Sequence, residues 1–285
     1  MSVSGWDVQR YRPTGVTPLE VWNLPVSGHE LWELLGTPRM ESDRRHGMSE
    51  ELVVARQCLT LIEALQLLLS EHRVDAVYLT GGIAALEGIT SAREVLANSL
   101  PCPVYIAQGP RFASVRAGLQ LLEDLRPTSP LCVDVGQTSI KCASRTRLHV
   151  FERDTTVLPR LFIGMPRPAD GHHVTSAVRF IAGALHTTAL GLVPPVDAIC
   201  LALPSPVDDA LVPGGCTYGW EEHASLVMDI LDAAKLTAPR CTVRVLNDAE
   251  LAAEAARNDS RVTGQRVLCL TLGFGPGGAL LERGG

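Results

Sequence analysis

The chain has no CxxC pair, no run of Lys or Arg, no signal-like leader and no uncharged stretch long enough to span a bilayer, and each gap removes a class of function. Its eight cysteines are scattered, and Cys132, Cys200 and Cys269 each lie inside a strand-like apolar run. Buried thiols of a reducing compartment account for them better than disulfides or a zinc site. A net charge of −6 argues against a nucleic-acid binder held by electrostatics. The N-terminal Met-Ser-Val-Ser-Gly-Trp-Asp lacks the positive region and apolar core of a secretory signal. A cytoplasmic protein with neither nucleic-acid nor membrane partner is expected.

Of its 285 residues, 46% are apolar and 20% charged, the balance of a globular chain with one large or two moderate domains. Strands alternate with helices, which implies mostly parallel sheets covered on both faces. Residues 51–70 carry apolar residues at helical spacing, and Ala76-Val-Tyr-Leu-Thr-Gly-Gly82 follows as a buried strand ending in glycines. A second step runs through 91–100 to Pro103-Val-Tyr-Ile-Ala-Gln-Gly109, then a helix over 111–125. Arg126-Pro-Thr-Ser-Pro130 reads as a linker, because two prolines break both periodicities. Beyond it come strand 131–136, a turn and strand pair over 138–163, a helix over 173–190, strand 198–204, a helix near 221–235, strand 242–247, helix 248–257 and strand 265–273. The first 45 residues, rich in Pro, Gly and Trp, are less legible.

Four segments carry chemistry. In Val133-Asp-Val-Gly-Gln-Thr-Ser-Ile-Lys141, a strand ends in Asp134 and Gly136 turns the backbone, so that amide groups and the Thr138 and Ser139 hydroxyls point into one concavity. Such a concavity suits a phosphate, with Asp134 holding Mg²⁺ through water and Lys141 facing the phosphate charge. A plain β-hairpin is the alternative. In Leu270-Thr-Leu-Gly-Phe-Gly-Pro-Gly-Gly278 the glycines follow an uncharged strand, but Ala279-Leu-Leu reads as a return strand rather than the helix of a dinucleotide fingerprint. The turn then offers amides to a phosphate or serves only as a tight hairpin. Gly81 and Gly82 end a strand where a helix is expected, leaving bare backbone for a ring or sugar, or forming an ordinary turn. In Leu246-Asn-Asp-Ala249, Asp248 stands at a strand's carboxyl end, as a base for a substrate hydroxyl, as a helix N-cap, or as both.

Jointly these segments resemble the acetate/sugar kinase, heat-shock chaperone and actin superfamily, and within it the ROK family of repressors and sugar kinases, which includes bacterial glucokinases. The resemblance is strongest over 131–285: Ala202-Leu-Pro-Ser-Pro-Val-Asp-Asp209 looks like GxPGPVD, Gly214-Gly-Cys-Thr-Tyr-Gly-Trp220 like the segment running to Gly-Trp, Asn247-Asp-Ala like NDA, and Thr271-Leu-Gly-Phe-Gly-Pro-Gly-Gly278 like TLGTGIGG. Leu79-Thr-Gly-Gly82 looks like the adenosine loop. The resemblance implies a two-lobed, ribonuclease H-like α/β fold of actin-like ATPase type and phosphorylation of a sugar-like small molecule by ATP with Mg²⁺. By it Asp248 is the catalytic base, and Asn247, Ser205 and Trp220 are substrate contacts. Nucleotide contacts are Asp134, Gly136, Gln137, Thr138, Lys141, Thr271, Gly273, Gly275, Gly81 and Gly82, with Asp134 toward the metal.

The family order is altered. Its adenosine loop normally closes the chain, whereas here that segment lies at the front, so the resemblance implies a circular permutation. One lobe is then 128–263, and the other 1–125 with 264–285. Gly28-His29-Glu30 stands where Glu-x-Gly-His is usual, but the cysteines of the family's zinc motif are absent, which leaves His29 an ordinary surface or core histidine. Ser205 replaces a glycine of GxPGP, and Gln137 and Ser139 depart from the usual loop. An actin-like nucleotide-binding regulator and a sugar-binding homologue without catalysis are the alternatives. No helix-turn-helix is recognisable, and homodimer formation is left open.

Overall fold

Apolar runs bounded by glycine or proline become the central strands. The computed structural model describes residues 5–162, 171–236 and 240–284; the last residue of the turn and strand pair expected over 138–163 lies outside them. The strands are β1 (Trp6–Arg10), β2 (Val16–Leu19), β3 (Pro25–Val26), β4 (His29–Glu30), β5 (Ala76–Thr80), β6 (Val104–Ile106), β7 (Pro130–Val135), β8 (Ser139–Ser144), β9 (Leu148–Glu152), β10 (Ala198–Leu203), β11 (Cys241–Asn247), β12 (Val267–Leu272) and β13 (Pro276–Leu281). The α-helices are α1 (Leu31–Leu34), α2 (Thr37–Arg45), α3 (Glu50–Glu71), α4 (Glu87–Ser91), α5 (Arg93–Ser99), α6 (Ala113–Leu121), α7 (His172–Ala189), α8 (Leu226–Ala234) and α9 (Asp248–Arg257).

The chain divides into two units, Met1–Arg12 with Val115–Leu251 and Pro13–Ser114 with Ala252–Gly285. The first unit holds a six-stranded sheet of order β1-β11-β10-β7-β8-β9. Strands β1, β11, β10 and β7 run parallel, while β7, β8 and β9 form an antiparallel meander. Its core is Leu131, Val133, Leu201 and Val243 of the sheet packed against Ile181 and Leu185 of α7 and Ile230 and Leu231 of α8. The second unit holds a five-stranded sheet, β2-β13-β12-β5-β6. Here β12, β13 and β2 are the antiparallel meander, and β5 and β6 run parallel to β12.

Without β1, the two sheets share one topology: a three-stranded meander whose first strand is central, followed by two strands parallel to it. This is the strand order of a ribonuclease H-like sheet, present in each unit of an α/β fold. In the first unit the chain visits the positions in order, β7 to β11. In the second the meander begins with β12 and β13 and is continued by β2, from the other end of the sequence.

Helix α3 shows how local sequence fixes packing. The Ser49 hydroxyl accepts from Leu52 N–H at 3.4 Å, and Glu50 and Glu51 occupy the first turn. Val53, Gln57, Leu61, Ala64, Leu65 and Leu68 bury one face in the second core. Gln57 accepts from Gly36 N–H at 2.9 Å and donates to Leu34 carbonyl at 3.0 Å, so its amide is satisfied. This is also the one described helix long and apolar enough to cross a membrane.

Four segments depart from the sequence expectation; one is 252–263, expected in the lobe 128–263 but part of the second unit. Trp6–Arg10, expected beside 13–125, pairs with β11 in the first unit. Val115–Leu125 also belongs to the first unit, and Arg126–Pro130 is a connection within it: Thr128 and Ser129 N–H donate to the Asp197 carboxylate at 2.7 and 2.9 Å, tying the segment down. No helix starts at Gly82; Ile83 N–H donates to Leu272 carbonyl at 3.0 Å, which holds 81–86 in turns until α4.

Candidate functional site

Parallel strands deliver their carboxyl ends to one edge. Asp134 stands beside Ala202 and Leu203 beside Asn247 in the ladder, so Asp134, Pro204-Ser205 and Asn247-Asp248 leave the sheet together, where open α/β sheets bind ligands.

The helix cap falls on Asn247. Its Oδ1 accepts from Ala249 N–H at 2.9 Å, and Glu250 Oε2 accepts from Asn247 N–H at 2.8 Å, the return bond of a capping box. Asn247 Nδ2 also donates to Leu203 carbonyl at 3.3 Å. The carboxamide expected to touch a substrate thus joins β10 to α9. Glu250, 2% exposed, is held by Arg10 Nη2 at 2.6 Å, and Arg10 Nε donates to Val207 carbonyl at 2.9 Å. Neither Arg10 nor Glu250 was expected from the sequence, although the Asn-x-x-Glu spacing carries the signal.

Asp248 is the first residue of α9, its carboxyl within reach of the Ala249 amide. Burial, and second the charge of Asp134, push its carboxyl up to about 7, against a partial opposing pull from the Ala249 amide and Lys141. Lys141 Nζ donates to Asp134 Oδ2 at 3.1 Å, both side chains being largely buried.

The turn after Asp134 is held from behind. Gly136 carbonyl accepts from Tyr218 hydroxyl at 2.8 Å, Gln137 carbonyl from Arg153 Nη1 at 3.2 Å, Thr138 carbonyl from Arg153 N–H at 2.9 Å and Ser139 carbonyl from Gly136 N–H at 3.0 Å. The amide groups of Gln137 and Thr138 meet no acceptor among the described residues. A Cβ at Gly136 would lie 2.7 Å from Ser139 carbonyl oxygen, so only glycine fits there. Gln137 faces inward, its Oε1 accepting from Thr217 N–H at 3.0 Å.

Trp220 is fully buried, its ring stacked on Tyr218 with centroids 4.6 Å apart. Trp220 Nε1 and Ser205 Oγ, both buried, make no hydrogen bond among the described residues. They are polar atoms left for something else at the positions expected to contact substrate.

In the second unit, β12 and β13 form the expected strand-turn-strand, with Thr271 opposite Gly277 and Leu272 opposite Pro276. Gly81 has φ +96, and a Cβ on it would lie 2.3 Å from Leu272 carbonyl oxygen, so packing dictates this glycine. Gly82 and Gly273 face open space, and Gly275 meets only Trp32 Cβ, at 3.9 Å. Thr37 amide and hydroxyl both donate to Gly273 carbonyl at 3.1 Å. His29 is exposed beside Glu33, and among the described residues no group of three or more His, Cys, Asp and Glu is placed to hold a metal.

No family model and no curated protein matches the chain. Among solved structures it is similar to the Ppx/GppA phosphatase of Aquifex aeolicus, type II variant, at 16% identity and a TM-score of 0.34, over 57% of this chain and 54% of that one. The chain spans about half the length of that phosphatase. The description of each sheet as ribonuclease H-like rests on its strand order.

Proposed function

We propose that the protein is an ATP-dependent kinase of a sugar or similar hydroxylated small molecule, of the ROK type, with its second unit circularly permuted. The observation that carries this reading is Asp248, placed at the carboxyl edge of a parallel sheet near Asp134 and given a carboxyl poised near neutral pH. A carboxylate in that state takes the proton of an acceptor hydroxyl as the new oxygen-phosphorus bond forms and the bond to the ADP leaving group breaks. The turn at 136–138 receives the phosphoryl oxygens on its amides, and Lys141 offsets their charge. Ser205 and Trp220, with unused polar groups, orient the acceptor.

Asp134 suits Mg²⁺, a hard cation that needs one or two carboxylates and completes its shell with water and phosphate oxygens. Such an ion supplies charge neutralisation at the phosphates. Gly81, Gly82, Thr271, Gly273 and Gly275, in the second unit, are further nucleotide-binding candidates. The strand order supports the permutation: Glu282 N–H donates to Gly15 carbonyl at 2.8 Å where a hairpin would join β13 to β2. The test is ADP release measured with MgATP against a panel of sugars and polyols. Turnover with an acceptor that vanishes in Asp248→Asn supports the reading; hydrolysis indifferent to every acceptor removes it in favour of a nucleotide switch.

A further inference from the structure

Arg153 follows the edge strand β9 and is 7% exposed. Its guanidinium donates to Leu158 carbonyl from Nε at 2.9 Å, to Gln137 carbonyl and Thr217 Oγ1 from Nη1 at 3.2 and 2.8 Å, and to Pro159 and Thr217 carbonyls from Nη2 at 2.7 and 2.8 Å. Its plane lies over the Tyr218 ring at 4.1 Å. Every acceptor is neutral, and among the described residues no carboxylate pairs with it. A buried cation without a counter-charge is costly in an otherwise finished structure.

We propose that Arg153 is a positioning residue for phosphate binding: its guanidinium holds the Gln137 carbonyl and its backbone N–H the Thr138 carbonyl from behind, which aims the Gln137 and Thr138 amides forward. The inference rests on the reading of that turn as a phosphate cradle. It adds that Arg153, Thr217 and Tyr218 join the cradle to the 216–220 segment, so that neither moves without the other. Lysine cannot replace the fork, which spans five acceptors along different directions.

The experiment uses the full chain, with Arg153→Lys and the milder Thr217→Val. Titration calorimetry reads MgATP affinity, and amide hydrogen exchange reads the 136–139 turn. Arg153→Lys should weaken MgATP roughly ten- to hundred-fold, since small displacements of a preorganised site cost that much. Faster exchange should be confined to the turn, and Thr217→Val should fall between Arg153→Lys and wild type. A folded Arg153→Lys with wild-type MgATP affinity overturns the inference and leaves the cradle standing. Exchange loss spread evenly over the first unit also overturns it, as the mark of a merely structural arginine. Wild-type chain that binds no MgATP overturns the cradle reading and this inference with it. If Arg153→Lys does not fold, Thr217→Val carries the same test, and unchanged affinity there overturns the inference.

Discussion

Asp134 raises the pKa of Asp248. After burial it is the largest influence on that carboxyl, and the two side chains leave neighbouring regions of one sheet edge. A base at about 7 makes the rate rise with pH through that value. Asp248→Asn should lower turnover by ~10²–10⁴-fold and abolish this limb while MgATP still binds. The check is a pH–rate profile beside calorimetry; near-normal turnover removes Asp248 from the mechanism.

The same shift has a consequence for stability. A carboxyl whose folded pKa, about 7, lies above its ordinary 3.8 is protonated in the fold while ionised in the unfolded chain. Its folded state therefore binds more protons across that window, and stability falls as pH rises from 3.8 to about 7. Asp248→Asn should melt higher than wild type at pH 8, with the gap closing toward pH 4. Melting curves across the range test this, and a gap that does not change with pH contradicts it.

Adjacent glycines should behave oppositely. Gly81→Ala forces a Cβ to 2.3 Å from Leu272 carbonyl oxygen at positive φ, and should cost about 1–3 kcal/mol or more. Gly82→Ala meets open space and should stay within about 0.5 kcal/mol. Denaturant titration separates them. On the neighbouring turn, Gly275→Val should leave stability near wild type, since its only close atom is Trp32 Cβ at 3.9 Å, and should weaken MgATP much more than the acceptor.

The first ten residues carry a further prediction. Arg10→Met strips the partner from Glu250, whose side chain is 2% exposed, and leaves a buried charge without compensation. Loss of one member of such a pair costs about 3–5 kcal/mol. Chemical denaturation of Arg10→Met and of the double variant with Glu250→Gln measures it, and the double variant should recover part of the loss.

What was legible followed from strong local pattern. Helix α3 and the buried strands β5, β7, β10, β11 and β12 announced themselves by apolar runs and glycine boundaries. The turn residues around Gly136 and Gly273 were legible because glycine at a strand end has few uses. Strands β1 and β2 were not: β1 alternates Trp6 and Val8 with polar residues but over only five positions, and β2 contains Pro18. Arg153 was illegible for a different reason: its partners at 137, 158, 159 and 217 are distant or unpatterned in sequence, and a buried arginine satisfied by carbonyls leaves no spacing rule. Asn247 was read for chemistry when its position before an Asp-Ala-Glu helix start also fitted a cap.

Strand order makes the last prediction. In the second sheet β13 pairs antiparallel with β2, Leu281 opposite Val16. The proposed permutation predicts that joining Gly285 to Met1 by a Gly/Ser linker of about 15 residues, with new ends opened within Arg126–Pro130, restores the family order. Both joined ends lie outside the described residues, so the linker is long and flexible rather than fitted. The opened segment costs the Thr128 and Ser129 bonds to Asp197, surface contacts worth about 1–3 kcal/mol together. The rearranged chain should therefore be a folded protein, somewhat less stable, with the MgATP affinity of the parent. A rearranged chain that folds but has lost MgATP affinity would show that the present order of the segments is required for the site. One that does not fold would show that β12 and β13 need β2 to reach them from the other end of the sequence.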